Sequence, residues 1–240
     1  MAIPPSSAAT PTGAPTVVLV HGAWADGSSW QPVIRRLLKA GLPVVAVQNP
    51  TTSLADDVAA TRRVLNTLPG PVVLVGHSWG GTVITEAGND PKVKALVYVA
   101  AFAPGVGQST GDLVGAHAAP PALGKIIDDG TGFLTLSVDG WVQDVGQDLP
   151  EEEARVLAVL QPPLAGRTFT DTITQAAWSS RPTWYIVSSE DRIVSVELQR
   201  TLALQMKAKT TELKASHLSL LSMPDAVAQV IGDAVAAVAG

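Results

Sequence analysis

The sequence predicts an α/β protein in which about six mainly parallel strands form one sheet flanked by helices. Short apolar runs alternate along the chain with stretches of helical periodicity, and this alternation is typical of parallel sheets with right-handed crossovers. The interval between the fourth and fifth strands is about 80 residues long, whereas a crossover needs about a dozen. We therefore expect a cap subdomain inserted at that point.

The individual elements follow from the apolar runs and from the residues that begin and end helices. Ser53 caps the second helix, and Pro69 with Gly70 ends it. The last helix is predicted to open with a capping box at Ser222 and with Pro224 in its first turn. The strands are predicted at residues 16–20, 43–48, 72–76, 93–100, 183–188 and 210–214.

The long interval is expected to hold mixed structure. It contains a hairpin-like stretch, 133–145, centred on Asp139 and Gly140, and a helix over 151–160. Since the interval leaves the sheet at the carboxyl end of a strand, it is expected to lie over the turn that follows the third strand. The predicted organisation is a disordered leader at 1–15, a core at 16–103 and 182–240, and the cap at 104–181.

The composition limits the classes of partner. The chain has 240 residues, of which 46% are hydrophobic and 15% charged, and its net charge of −5 gives no reason to expect nucleic acid. No apolar window is long enough to predict a membrane span. Zero cysteines exclude disulfides, thiolate metal sites and a cysteine nucleophile. The compartment stays open: the cytoplasm is favoured, and a secreted or periplasmic location is the alternative if a signal peptide has been removed.

The stretch 72–81, VVLVGHSWGG, is the most informative in the chain. A buried strand runs without a polar linker into a serine flanked by glycines, and a stretch compatible with a helix follows. Glycine at Gly76 and Gly80 permits a turn so tight that the side chain of Ser78 stands clear of the sheet. We therefore identify Ser78 as the candidate nucleophile, with a helix N-cap as its alternative role.

A serine hydroxyl needs a base, and the chain offers four histidines. His21 lies at a strand end, where structural hydrogen bonding is expected, and His77 is interpreted as a packing residue. His117 lies in the insertion among small residues and is expected to be exposed. His217 follows the sixth strand at the carboxyl edge of the sheet and is therefore the candidate base.

The acid and the oxyanion donors are assigned from their positions at the same sheet edge. Asp191 follows the fifth strand, and it is preferred to Glu190 because its shorter side chain suits a fixed hydrogen bond to His217. An acid at a helix N-terminus or a member of a solvated surface pair is the alternative reading of Asp191. The backbone N–H groups of Trp79 and Ala23 are the candidate donors to a developing oxyanion.

Five motifs carry a resemblance to a known family: VLVHGAWADGSSW (18–30), VGHSWGG (75–81), VYVAAFAPG (97–105), WYIVSSEDRIV (184–194) and ASHLSLLSMP (215–224). With them the sequence resembles the α/β-hydrolase superfamily, and within it the small bacterial esterases related to plant methylesterases, hydroxynitrile lyases and pyrethroid hydrolases. The resemblance implies the α/β-hydrolase fold, with the triad and oxyanion donors named above. Two departures from the lyases favour an esterase: Gly22 stands where those enzymes carry threonine, and Leu218 stands where they carry lysine.

These assignments predict a serine hydrolase of the carboxylesterase type, which cleaves small to medium carboxylic esters through an acyl-enzyme and needs no cofactor. Its partner is a small-molecule ester, and a monomer or a homodimer is expected. A cofactor-free lyase, a perhydrolase, a C–C bond hydrolase and a hydrolase-derived ligand receptor are the alternatives. The residues expected to bind the substrate, mostly through aromatic rings around an apolar pocket, are Gly22, Trp24, Phe102, Trp141 and Trp178.

Overall fold

The strands and helices are those of a computed structural model that describes residues 14–239. Most of the predicted leader, 1–15, lies outside the described residues. The strands are β1 (Thr16–Val20), β2 (Val44–Ala46), β3 (Val72–His77), β4 (Val93–Val99), β5 (Ile126–Asp128), β6 (Phe133–Leu136), β7 (Leu164–Ala165), β8 (Thr183–Ser188) and β9 (Lys209–Leu213). The helices are α1 (Gln31–Lys39), α2 (Leu54–Thr67), α3 (Trp79–Ala87), α4 (Thr110–Gly115), α5 (Val138–Gly140), α6 (Glu151–Leu160), α7 (Val196–Gln205), α8 (Ser219–Ser222) and α9 (Pro224–Val238). None of these helices is both long and apolar enough to cross a membrane.

Six parallel strands form the central sheet of the described residues, in the order β2-β1-β3-β4-β8-β9. Helices α1 and α9 pack together, with α9 against β3, β4 and β8, while α2 packs on α3. Strands β1, β3, β4 and β8 are therefore almost entirely buried, as their apolar sequences require. The register pairs Val20 with Gly76 and His77 with Val99, so the carboxyl ends of β1, β3 and β4 meet at one edge. The predicted fold class is confirmed.

A smaller antiparallel sheet, β5-β6-β7, lies between β4 and β8 in the chain and fits the predicted cap, whose boundaries at 104 and 181 stay a prediction. The hairpin predicted around Asp139 and Gly140 is wrong, because both residues lie in α5, which continues as a π-turn over Trp141–Val145. The chain reverses earlier, between β5 and β6. There Gly130 and Gly132 adopt φ values of 78° and 95°, which residues with a Cβ rarely adopt.

The start of the last helix also differs from its prediction. Ser222 belongs to the short helix α8, and its hydroxyl donates to the carbonyl of Leu218. Helix α9 begins at Pro224 without a side-chain cap. Asp225 accepts two hydrogen bonds from the guanidinium of Arg36 in α1, at 2.6 and 2.8 Å. The predicted capping box is wrong because the two side chains that would form it bind elsewhere.

The turn between β3 and α3 is held by direct contact between backbones. A Cβ atom on Gly76 would lie 2.5 Å from the carbonyl oxygen of Gly80, and one on Gly80 would lie 2.4 Å from the carbonyl oxygen of Val20. Both distances are too short for any side chain. Ser78 lies between the two glycines with φ 53° and ψ −122°, a strained conformation for a residue with a side chain. The turn has the tight geometry that the sequence motif predicts.

We expect Gly80→Ala to lower the free energy of unfolding by about 2–3 kcal/mol or more, since the added methyl group must displace the backbone of β1. Gly232→Ala is the matched control, because Gly232 lies in α9 and a Cβ there meets open space. It should raise the free energy of unfolding by about 0.5–1 kcal/mol, since alanine favours a helix. Urea denaturation followed by circular dichroism measures both changes. A Gly80→Ala variant as stable as the wild type would contradict the packing described.

Candidate active site

Ser78 is held by its backbone, and its hydroxyl is left free. Its N–H donates to the carbonyl of Val99 at 3.1 Å, and its own carbonyl accepts from the N–H groups of Gly81 and Phe102. Although Ser78 directly precedes α3, its side chain makes no capping hydrogen bond to that helix. The structure therefore does not support the alternative in which the Ser78 side chain caps α3. The turn presents the Ser78 hydroxyl at the carboxyl edge of the sheet.

His217 and Asp191 come together from the loops that follow β9 and β8. Nδ1 of His217 lies 2.7 Å from Oδ2 of Asp191, and both side chains are almost fully buried. The carboxylate is fixed further: Oδ1 accepts from the N–H groups of Ile193 and Val194, and Oδ2 accepts from Nε2 of Gln199. An ionised carboxylate only accepts hydrogen bonds, so this contact favours the tautomer of His217 with its proton on Nδ1, in which Nε2 can accept a hydrogen bond.

His77 connects the His217 loop to the Ser78 turn. Its Nε2 lies 3.0 Å from the carbonyl oxygen of His217 and therefore donates to it, and the two ring centroids are 4.6 Å apart. Burial, followed by the nearby His217, holds the pKa of His77 well below its ordinary value, so its ring stays neutral. His77 is thus more than the packing residue that was predicted, because its hydrogen bond positions the His217 backbone.

Within residues 14–239 no hydrogen bond joins the Ser78 hydroxyl to His217. Such bonds often form only when substrate binds.

An enclosed cavity adjoins Ser78. The cap supplies part of the wall through Leu123, Leu164 and Phe169, so core and cap enclose the cavity together. No charged side chain of the described residues lines it. The lining, which includes five residues predicted from the sequence, is Ala23, Trp24, Ser78, Trp79, Phe102, Thr110, Val114, Leu123, Leu164, Phe169, Ile193 and Val194.

Comparison with known proteins decides the family. Residues 17–230 match the model of a family described as the alpha/beta hydrolase family. The chain belongs to this family. It is 28% identical to "Probable hydrolase R7" of Phoma sp., over 91% of this chain and 97% of that protein. It is 26% identical to Methylesterase 8 of Arabidopsis thaliana, over 76% of this chain and 75% of that protein.

A solved structure shows the same fold. The crystal structure of a pyrethroid hydrolase from Sphingobium faniae JZ-2 matches this alpha/beta hydrolase with a TM-score of 0.80 and 21% identity, over 94% of this chain and 98% of that one. The family match and these relatives confirm the resemblance stated from the sequence. They also confirm the prediction that the chain is an enzyme of the hydrolase class.

The candidate oxyanion donors of this alpha/beta hydrolase border the cavity. Ala23 and Trp79 both line it, and in the described part of the chain neither backbone N–H has an acceptor. Trp79 is the first residue of α3, so its N–H lies at the positive end of the helix. A Cβ on Gly22 would lie 2.8 Å from Cβ of Ser78, so glycine keeps the space beside the serine open. The donor role of Ala23 and Trp79 stays a prediction.

Two tryptophans expected to bind substrate lie away from the Ser78 cavity. Trp141 lines a separate cleft, which it shares with Trp24 and Leu218. Trp178 donates from its Nε1 to the carbonyl of Pro104 at 3.1 Å. This differs from the expectation that both rings line one apolar pocket with the nucleophile. Aromatic rings in a cap also serve its packing, and their sequence positions do not distinguish the two uses.

Two further histidines lie outside the candidate triad. His21 donates from Nδ1 to the carbonyl of Gly22 and accepts at Nε2 from the N–H of Asn49, both at 2.9 Å. Burial lowers the pKa of His21, and its expected structural role is confirmed. His117 is partly buried, with Nδ1 4.0 Å from a carboxylate oxygen of Glu197, so the expectation that it is exposed is wrong. Within residues 14–239 no group of three or more His, Cys, Asp and Glu side chains could hold a metal ion.

Sequence reasoning missed Asp57, a second buried carboxylate beside the cavity. Asp57 is fully buried in α2, and it accepts from Nε1 of Trp79 at 2.7 Å and from the N–H of Thr51 at 2.8 Å. Burial raises the pKa of Asp57 to about 6. A signal was present, because Asp57 lies three residues after Leu54 and four before Thr61, on the buried stripe of α2. A charged residue in such a stripe usually has a specific partner.

We expect Gln199→Leu to lower the free energy of unfolding by about 2–4 kcal/mol. The amide of Gln199 donates to Asp191 and to the carbonyl of Val194 and accepts from the N–H of Ser188, so leucine leaves buried polar groups unpaired. Gln229→Leu is the control, because Gln229 is an exposed residue of α9, and it should change stability by less than about 0.5 kcal/mol. Urea denaturation compares the two variants. Equal stability would mean that Gln199 does not support the Asp191 loop.

Proposed function

We propose that the protein hydrolyses small to medium carboxylic esters through an acyl-enzyme on Ser78, with His217 as the base and Asp191 as its partner. One observation carries the proposal: a serine in a strained turn, a buried histidine–carboxylate pair and an enclosed apolar cavity occur at one sheet edge. Packing of the core requires none of these features together. The relative named Methylesterase 8 supports the same reaction class.

In the first half of the reaction, Oγ of Ser78 attacks the carbonyl carbon of the ester while Nε2 of His217 takes the hydroxyl proton. Asp191 stabilises the imidazolium that forms, because its carboxylate faces the protonated Nδ1. The N–H groups of Ala23 and Trp79 stabilise the negative oxygen, and loss of one such donor costs roughly 10²- to 10³-fold in rate. The C–O bond of the ester then breaks, and the leaving alcohol takes the proton from His217.

In the second half, a water molecule replaces the alcohol. His217 takes a proton from the water as its oxygen attacks the acyl carbon, and the same N–H groups stabilise the second oxyanion. Collapse returns the proton to Oγ of Ser78 and releases the carboxylic acid. None of these steps calls for a cofactor, since the side chains carry every proton transfer.

The cavity favours a compact and uncharged acyl group. Its lining is apolar apart from the hydroxyls of Ser78 and Thr110, so a charged acyl group would lose its hydration without compensation. Its enclosure between core and cap favours a short acyl group over a long chain. The residue after His217 is the buried Leu218, rather than a cation that could stabilise a departing cyanide, and this favours an esterase over a hydroxynitrile lyase.

We expect Ser78→Ala and His217→Ala each to lower kcat/KM for p-nitrophenyl acetate by at least about 10³-fold, because each removes a reacting group. Ser180→Ala is the matched control, since Ser180 is exposed and lies outside the cavity lining, and it should keep wild-type activity. Acetate, butyrate and octanoate esters are compared, with folding checked by circular dichroism.

Two outcomes would overturn the proposed function. Equal turnover by the wild type and a folded Ser78→Ala variant would show that Ser78 is not the nucleophile. No turnover of any of the three esters by the wild type would exclude this substrate class and lead next to lyase substrates and to ligand binding.

A further inference from the structure

The buried carboxylate of Asp57 bonds to one residue of the cavity wall, Trp79, and to the backbone of Thr51, which contacts the cap. Its Oδ2 accepts from the indole N–H of Trp79 at 2.7 Å, and its Oδ1 accepts from the backbone N–H of Thr51 at 2.8 Å. Each oxygen therefore has its own donor, and both bonds are charge-assisted when the carboxyl group is ionised. The proposed reaction makes no use of Asp57.

The first of these bonds fixes the ring beside the nucleophile. Trp79 directly follows Ser78 and lines the cavity, and only 3% of the residue is exposed. An indole could rotate about its side-chain torsions unless a partner held its N–H. Asp57, which is fully buried, is that partner. The position of one cavity wall thus depends on a carboxylate of α2.

The second bond reaches the cap. Thr51 adopts a φ of 56°, which is uncommon for a residue with a side chain, and its carbonyl accepts from the N–H of Ala165 in β7 at 2.9 Å. The neighbouring residue of β7, Leu164, lines the cavity opposite the core residues. By holding the Thr51 backbone, Asp57 also supports the cap side of the wall.

Burial of this carboxylate costs free energy that a leucine at the same position would not cost. The cost is visible in the pKa of Asp57, which burial raises to about 6 although both hydrogen bonds oppose the shift. At pH 7.5 the group is mainly ionised and accepts at both oxygens. One donor to this costly buried acid lines the cavity, and the other bonds to Ala165, the neighbour of the lining residue Leu164. We therefore relate the burial of Asp57 to the cavity wall.

We propose that Asp57 is a positioning residue that fixes the Trp79 indole and the Thr51 backbone, and that it thereby restricts the cavity beside Ser78 to short acyl groups. The inference rests on the proposed ester hydrolysis, because it concerns which acyl group that site accepts. Asp57 acts through Trp79 and Thr51 and takes no part in the proton transfers.

Asp57→Asn tests the restriction, because an asparagine can still accept from Thr51 but presents an amide N–H to the indole N–H of Trp79. We expect the ratio of kcat/KM for p-nitrophenyl butyrate to that for the acetate to rise roughly fivefold to tenfold. A loss of folded protein lowers both rates equally and leaves this ratio unchanged. Asp56→Asn is the matched control: Asp56 is an exposed acid of the same helix that bonds to Ser53, and its ratio should stay at the wild-type value.

Trp79→Phe completes a double-mutant cycle. Phenylalanine has no N–H for Asp57 to hold, so adding Asp57→Asn to Trp79→Phe should change the acyl ratio by less than about twofold. If Asp57→Asn raised the ratio equally in both backgrounds, its effect would not pass through Trp79, and the positioning role would be overturned.

A second measurement reports the bond without any substrate. In ¹⁵N-labelled protein at pH 7.5, the indole N–H resonance that disappears in Trp79→Phe belongs to Trp79. We expect this resonance to shift and to lose its protection from solvent exchange in Asp57→Asn but not in Asp56→Asn. An unmoved resonance would overturn the positioning, and a moved resonance with an unchanged acyl ratio would overturn the acyl restriction. Absence of wild-type turnover on every ester would overturn the proposed function instead, while the resonance would still decide whether Asp57 holds Trp79.

Discussion

The close approach of backbones around Ser78 is the constraint on which the rest of the structure depends. Neither Gly76 nor Gly80 has room for a side chain, and the chain between them can pass from strand to helix only with Ser78 at a φ of 53°. Residues 17–20 and 72–75 of the adjoining strands are completely buried, and this burial offsets the local strain. Ser78 is thus strained where the strands around it are completely buried.

Much of this site could be predicted because its signals are local in the sequence. Apolar runs mark the strands, and a serine between two glycines after such a run has few other structural uses. Asp191 and His217 each follow a predicted strand, and a parallel sheet brings the carboxyl ends of its strands to one edge. The sequence therefore predicts all three residues as candidates before any distance is known, and the structure adds the 2.7 Å contact between His217 and Asp191.

The rest depends on contacts between residues that are distant in the chain. Asp139 and Gly140 are residue types typical of a turn, yet both lie in a helix that the hydroxyl of Ser137 caps. The turn that these two residues predict is therefore not formed. The sequence can show that Asp57 is an acid on the apolar face of α2, but it cannot show the partner of that acid. The partner, Trp79, is 22 residues away and belongs to another helix. Trp141 shows the same limit, since only the packed structure separates its cleft from the cavity beside Ser78.

The apolar and enclosed cavity beside Ser78 limits how water is held next to an acylated serine. Apart from the hydroxyls of Ser78 and Thr110, the side chains that line it are apolar and offer water few partners. Under the acyl-enzyme mechanism, water and small alcohols therefore compete for the acyl group in surroundings that suit the less polar of the two. In water rich in methanol or ethanol, such a site exchanges alcohols between esters at the expense of hydrolysis.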